Sequence, residues 1–127
     1  MFILGEERED ALLGLQLPSS LARLVRGESV HPELDDCCRP LAYCLEPEDF
    51  SPSGLNVIPL WEGHSTITGF YFSGGQTIFI IFEVEDIDHF TTLGTTVESV
   101  VEDLLAERVD ELLDPEDLEE LRSLLSM

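Results

Sequence analysis

The run Thr77–Val84 constrains the fold of this chain more than any other stretch. It reads Thr-Ile-Phe-Ile-Ile-Phe-Glu-Val, which is nearly continuous in β-branched and aromatic residues. Such residues favour strands, and apolar side chains at consecutive positions indicate a strand that is covered on both faces. Ser73-Gly74-Gly75, just before the run, is a hairpin signal. The stretch therefore predicts a central strand that is entered from an antiparallel neighbour.

Two further strands are predicted upstream of the hairpin. Thr66–Phe72 has strand composition, and Leu55–Trp61 does too, with Pro59 in its interior. Proline cannot donate a ladder hydrogen bond, so Pro59 predicts a bulge or a sheet edge. Trp61 at the end of this strand is expected to fill the core. Together the strands form an antiparallel meander, within a sheet of about three to five strands.

The residues after the meander change to helical spacing. Val97, Val100, Val101, Leu104 and Leu105 repeat on one helical face. Thr95 or Thr96 is the expected cap, with Glu98 as the capping-box acid. A last helix is predicted to begin at Asp114-Pro115, since proline suits the first helical position.

Two short helices are predicted before the sheet, over Glu6–Leu17 and from Pro18 toward Gly27. Prolines break up the stretch Glu28–Gly54, in which Leu41–Leu45 is the only predicted strand. The fold class predicted is α+β, with an antiparallel sheet backed by N- and C-terminal helices. We expect a single domain over residues 1–127, a common domain size.

Charge narrows the function classes. The chain carries 27 acids against six arginines and no lysine, for a formal net charge of -21. Phosphate binding depends on lysine and arginine, so direct nucleic-acid binding and binding to anionic membranes are not expected. So many carboxylates repel one another and destabilise the folded chain. A basic protein partner, bound cations or a salty cytoplasm would account for the excess of acids. The excess of acids is also compatible with mimicry of nucleic acid, in which carboxylates occupy a basic groove of another protein.

The compartment expected is the cytoplasm. No apolar run approaches the length of a membrane span, and the first residues do not have the pattern of a secretory signal. Cys37, Cys38 and Cys44 cannot all pair within one chain, which favours a reducing compartment.

The densest acidic cluster follows the central strand and ends at His89. It allows three interpretations: a solvated loop, a partner-binding loop, or a divalent-cation site that lacks EF-hand spacing. A solvated loop is the simplest of the three, and the functional interpretation that we favour is partner binding, in which carboxylates accept charge-assisted hydrogen bonds from arginine or lysine. The predicted partner-binding residues are Glu62, Glu83, Glu85, Asp86, Asp88, Glu98 and Glu102.

The cysteines with His31 form a candidate zinc set. Adjacent Cys37 and Cys38 replace the usual Cys-x-x-Cys clip poorly, so buried or partly buried free cysteines are the favoured interpretation. A cysteine nucleophile would need a histidine base beside it, and nothing in the sequence places one there. No phosphate loop, Rossmann fingerprint or nucleophile elbow occurs. We therefore predict no catalytic residues, no metal and no cofactor.

Several phrases of the chain together resemble the SUKH superfamily. They are Leu-Gly-Leu-Gln-Leu-Pro at 13–18, Val-Ile-Pro-Leu-Trp-Glu at 57–62, the hairpin with its apolar strand, and Val-Glu-Ser-Val-Val-Glu-Asp-Leu-Leu at 97–105. The resemblance spans most of residues 9–107. It implies an α+β fold with helices behind an antiparallel sheet, and a place among bacterial immunity proteins that neutralise toxins. It implies no catalytic residue, because the superfamily shares none.

The favoured hypothesis is a non-catalytic immunity-type protein that blocks a basic toxin or nuclease with its acidic surface, as a monomer or homodimer. Three alternatives remain at this point. The first is a general regulatory or interaction module of the same fold. The second is a small metal-dependent or cysteine hydrolase. The third attributes the acidity to a halophilic origin alone.

Overall fold

A computed structural model describes residues 1–109 and 112–127 of the chain. The fold is α+β, as predicted. The helices are α1 (Gly5–Gly14), α2 (Ser19–Val25), α3 (Val97–Asp103) and α4 (Pro115–Leu125), and the strands are β1 (Ile58–Glu62), β2 (Thr66–Ser73), β3 (Gln76–Glu83) and β4 (Thr91–Gly94). Short 3-10 helices lie at Pro32–Leu34 and Tyr43–Leu45, and α3 continues into a π-helical turn at Leu104–Arg108.

The four strands form one antiparallel sheet in the order β1-β2-β3-β4. The prediction of a central strand is confirmed, because β3 lies between two neighbours and Phe79, Ile80, Ile81 and Phe82 are all buried. Gly74 and Gly75 make the two-residue turn into β3, with φ of 57° and 81°. Two consecutive positive φ angles are what a tight hairpin turn of type I′ requires, and glycine adopts them without strain.

Strand β1 contains the irregularity that Pro59 predicts. The pairing of β1 with β2 shifts between Pro59 and Trp61, which leaves Leu60 as the extra residue of a bulge. Leu60 and Trp61 consequently both join the same core cluster, and the expected core position of Trp61 is confirmed. Gly69 faces Pro59 across the bulge, and a Cβ atom there would lie 2.7 Å from the carbonyl oxygen of Ile58.

The sheet separates two hydrophobic clusters. The larger one joins the sheet to the helices, and its buried members include Leu21, Leu24, Trp61, Phe70, Phe79, Val100, Leu104 and Leu121. The second lies among Cys44, Val57, Ile67, Ile80 and Phe82. Partly buried residues of irregular segments cover the second cluster, among them Phe2, Leu41, Tyr43, Phe50, Ile87 and Phe90. One layer over the sheet is therefore helical and the other is largely loop.

Two local predictions are wrong. Leu41–Leu45 is not a strand, because Tyr43–Leu45 forms a 3-10 helix. Thr96 caps α3 and accepts a hydrogen bond from the Ser99 backbone N–H at 3.3 Å, so Ser99 occupies the capping-box position predicted for Glu98. The predicted start of α4 is confirmed, with Asp114 at the N-cap and Pro115 as the first helical residue.

Candidate functional site

The acidic loop, defined as residues 83–89, begins at the last residue of β3, leads toward β4 and presents its carboxylates to solvent. Val84, Ile87 and Phe90 recur at every third position and pack against the second cluster. The acids between these anchors, Glu85, Asp86 and Asp88, are exposed, and so is Glu83 just before them. Backbone hydrogen bonds from Asp86 to the Glu83 carbonyl (3.1 Å) and from His89 to the Asp86 carbonyl (3.2 Å) fold the loop into two successive turns. Apolar spacing thus orients the acids outward.

Two of these carboxylates already have partners within the chain. Asp86 Oδ1 lies 2.8 Å from His89 Nδ1. Asp88 Oδ1 accepts a hydrogen bond from the backbone N–H of Ser53 at 2.8 Å, and this bond holds the pKa of Asp88 below its ordinary value. The side-chain carboxylates of Glu83 and Glu85 form no hydrogen bond or ion pair within the part of the chain that the structure describes.

The contact between Asp88 and Ser53 brings a second acidic segment beside the loop. Glu46, Glu48 and Asp49 are exposed on it. Asp49 accepts hydrogen bonds from the hydroxyl and the backbone N–H of Ser51, at 2.6 and 3.0 Å, and these bonds lower its pKa. The sequence analysis missed these three acids, although the phrase Glu-Pro-Glu-Asp at 46–49 offered a signal.

A cavity of about 320 Å³ lies beside the acidic loop. Glu83, Asp86 and His89 line it together with Arg108, which pairs with Asp103 at 3.2 Å. Across residues 1–109 and 112–127, no three or more histidine, cysteine, aspartate or glutamate side chains are arranged to hold a metal ion. The cavity offers carboxylate acceptors from Glu83 and Asp86 beside the donor groups of Arg108 and two threonine hydroxyls, Thr66 and Thr91.

Glu98 and Glu102 lie on α3 and line a different groove from the acidic loop. Glu102 binds Arg122 through two hydrogen bonds, from Nε to Oε1 at 3.2 Å and from Nη2 to Oε2 at 3.1 Å, which join α3 to α4. These bonds raise the pKa of Arg122. Glu98 is exposed and has no such partner among the described residues. The predicted acids that are exposed therefore divide between two surfaces.

Glu62 does not belong to either surface, and its predicted role in partner binding is corrected. Its side chain is buried, with 2 % of the residue exposed. The carboxylate accepts backbone hydrogen bonds from Ala42 (2.8 Å), Tyr43 (3.0 Å) and Cys44 (3.0 Å). It thereby holds the start of the second 3-10 helix against β1, and its burial keeps it from an incoming cation.

The structure does not bring the candidate zinc ligands together. Cys37 and Cys38 belong to the larger hydrophobic cluster, between the sheet and the helices, whereas Cys44 belongs to the second cluster. His31 Nδ1 instead accepts a hydrogen bond from the Glu33 backbone N–H at 3.1 Å and caps the first 3-10 helix. Burial raises the pKa of Cys44, and a hydrogen bond to Cys37 together with burial raises that of Cys38. The expectation of buried or partly buried free cysteines is confirmed: Cys38 and Cys44 are buried and Cys37 is partly buried.

All six arginines have partners within the protein. Arg8 is half-buried and donates to the carbonyls of Pro59 (2.8 Å), Leu60 (3.3 Å) and Val25 (2.7 Å), and burial lowers its pKa. The other five form ion pairs: Arg23 and Arg26 with Glu28, Arg39 with Asp36, Arg108 with Asp103, and Arg122 with Glu102 and Glu119. The acids of the loop are left without an arginine partner.

No family model, curated protein or solved structure matches the chain. Among the described residues, none of the helices combines the length and the apolar character that crossing a membrane requires.

Proposed function

We propose that this chain is a non-catalytic binding protein whose acidic loop docks on a basic protein, as an immunity-type protein that neutralises a basic toxin or nuclease would do. The observation that carries the proposal is the distribution of charge. The chain has a net charge of -21, and its arginines are already committed to internal partners. Carboxylates that lack a cation in the free protein are available to one supplied by a partner.

The surroundings of the loop support the same proposal. Glu83, Glu85 and Asp86 are exposed, and Glu46 and Glu48 are exposed on the segment that Asp88 ties to the loop. Asp49 on that segment is paired with the N-terminal ammonium at 3.5 Å. Carboxylates grouped on one surface attract a basic protein and raise its association rate, to as much as about 10⁸–10⁹ M⁻¹s⁻¹ at low salt. The apolar anchors Val84, Ile87 and Phe90 keep this loop on the sheet.

The experiment is a capture assay with immobilised protein, a lysate of the source organism and elution by rising salt, with mass spectrometry of the eluate. The test variant is Glu85→Lys with Asp86→Lys. The matched control is Glu7→Lys with Asp10→Lys, which changes the net charge equally on the exposed side of α1. We expect a basic protein to elute at moderate salt from the native chain and from the control, and to be lost from the loop variant. Equal loss from both variants would contradict a role of this loop.

A second candidate function is a general interaction module that binds through apolar surface. Leu13 on α1 is 76 % exposed. It lines a groove of about 380 Å³ with Leu12, Leu17 and Val25. Binding of this kind would survive about 1 M salt, where the Debye length is only about 3 Å. The same elution series therefore separates the two functions.

A further inference from the structure

The helical layer contains a groove that is apolar at its floor and acidic at its rim. Its volume is about 540 Å³, and it lies where the end of α1, the start of α2, α3 and the last turn of α4 meet. Its apolar lining consists of Leu15, Pro18, Leu21, Val97, Val101 and Leu125. Leu21 and Leu125 are buried and close the floor, whereas Leu15 and Val97 are partly open to solvent.

The rim of the groove carries more negative than positive charge. Glu98 and Glu102 lie on one side, and Arg122 lies on the other. Arg122 is shared between Glu102 and Glu119, at 3.1 and 3.2 Å, so that one guanidinium serves two carboxylates. Glu98 is exposed and is not paired with any described residue. A cation brought by a partner would meet an uncompensated carboxylate directly beside an apolar surface.

We infer that this groove binds a basic amphipathic helix of the partner protein, with aliphatic side chains on the floor and a lysine or arginine at Glu98. The inference rests on the proposed function, because it names the partner segment that an acidic binding protein would take. Charge complementarity selects the occupant: a second copy of this chain would bring further acids to an acidic rim. Helices wall the groove without an open strand edge, so a helix laid in the groove suits it better than an added strand.

The volume is consistent with this occupant. Cavities of about 300–1,000 Å³ are typical of sites that bind small molecules. A groove of this size therefore accepts a few aliphatic side chains rather than a whole domain. Specificity would then come from two features together, the spacing of apolar residues along the helix and the position of its cation. A basic peptide without an apolar face would contact only the acidic rim and would leave the apolar floor uncovered.

The test uses an 18-residue peptide of leucine and lysine with its leucines on one helical face, and a peptide of the same composition in scrambled order. Binding is measured by fluorescence anisotropy, and the bound surface is mapped by amide shifts in ¹⁵N NMR spectra. The variant Ser126→Trp fills the groove from its edge, and Ser123→Trp, exposed on the same helix outside the groove, is its control. The variant Glu98→Lys reverses the unpaired rim charge. Dispersed NMR spectra verify that each variant is folded.

We expect the patterned peptide to shift amides of Gln16, Val97 and Glu98. We expect Ser126→Trp to weaken the affinity for the patterned peptide at least about tenfold, and Glu98→Lys to weaken it about five- to tenfold. The Ser123→Trp variant should bind this peptide as tightly as the native chain does. Equal binding of both peptides, mapped to the acidic loop, would overturn the groove and leave the proposed function standing. Binding of neither peptide at low salt would overturn the partner helix, and the capture assay would decide the proposed function separately. Shifts in the groove on raising protein concentration alone would assign it to self-association and overturn the partner helix.

Discussion

At the scale of single residues, Glu62 is the most consequential acid in the chain. Its buried carboxylate accepts three hydrogen bonds, from the backbone N–H groups of Ala42, Tyr43 and Cys44. We expect Glu62→Ala to lower the free energy of unfolding by about 3 kcal/mol or more, because buried donors without an acceptor cost about 1–3 kcal/mol each. Glu62→Gln retains one acceptor oxygen and should cost less. Urea denaturation measures both.

The control for Glu62 is Glu48→Gln, at an exposed acid of the neighbouring segment. It should leave the unfolding midpoint unchanged. If Glu62→Ala were as stable as the native protein, the three donors would have found other acceptors and the buried carboxylate would not organise this turn.

Asp88 gives a residue-scale prediction for pH. The Ser53 N–H lowers the pKa of Asp88, so the unfolded carboxyl binds a proton more readily than the folded one. The stability from this contact is therefore present above the unfolded pKa, near 3.9, and is lost as pH falls through the lower folded pKa. In an NMR titration, the Ser53 amide shift should follow Asp88 at a pH below the ordinary aspartate pKa of about 3.9. A Ser53 amide unaffected across this range would contradict the contact.

At the scale of elements, the close packing of β1 on β2 depends on Gly69. A Cβ atom at this position would lie 2.7 Å from the Ile58 carbonyl oxygen and 2.9 Å from a Val57 methyl carbon. We expect Gly69→Ala to destabilise the protein by about 1–3 kcal/mol, the usual cost of overpacking. Gly14→Ala at the end of α1 is the matched control, since no atom lies within 4 Å of its added methyl group. The unfolding temperature of Gly69→Ala should be lower than that of Gly14→Ala. Equal unfolding temperatures would mean that the backbone at the bulge accommodates the methyl group without loss of stability.

The same scale shows what the sequence could predict. Elements with strong patterns were predicted: β3 by its continuous apolar run, and the β2–β3 turn by Gly74-Gly75. Strand β4 has only four residues, Thr-Thr-Leu-Gly, and its pairing is decided by β3 beside it, so local composition did not reveal it. The 3-10 helix at Tyr43–Leu45 depends on a carboxylate about twenty positions away, and no local pattern encodes that contact.

The candidate site was predicted in part for the same reason. Exposure of the loop acids follows from the apolar residues between them, which the sequence displays. Glu62 looked like any acid at a strand end, but the bridge that pairs its backbone with Arg39 holds the preceding segment against β1. Whether an acid at a strand end is exposed or buried is decided by that tertiary pairing.

At the scale of the whole molecule, the charge surplus implies self-repulsion that salt should relieve. Between about 0.01 and 0.15 M ionic strength the Debye length falls from about 30 to 8 Å, which screens exposed carboxylates from one another. We expect sodium chloride over this range to raise the unfolding temperature by about 3–5 °C, the shift that about 1 kcal/mol produces in a domain of this size. The variant Glu7→Lys with Asp10→Lys, whose net charge is smaller, should show a smaller rise.

The shape of that salt dependence also separates function from solvent adaptation. A protein that keeps unpaired carboxylates for a partner needs only ordinary screening, so its stability should level off near physiological ionic strength. A chain adapted to a salty cytoplasm should continue to gain stability up to molar salt and should unfold as salt is withdrawn. Calorimetry from about 0.01 to 2 M sodium chloride distinguishes a plateau from a continued rise, and a continued rise would assign the acidity to the solvent, not to a partner.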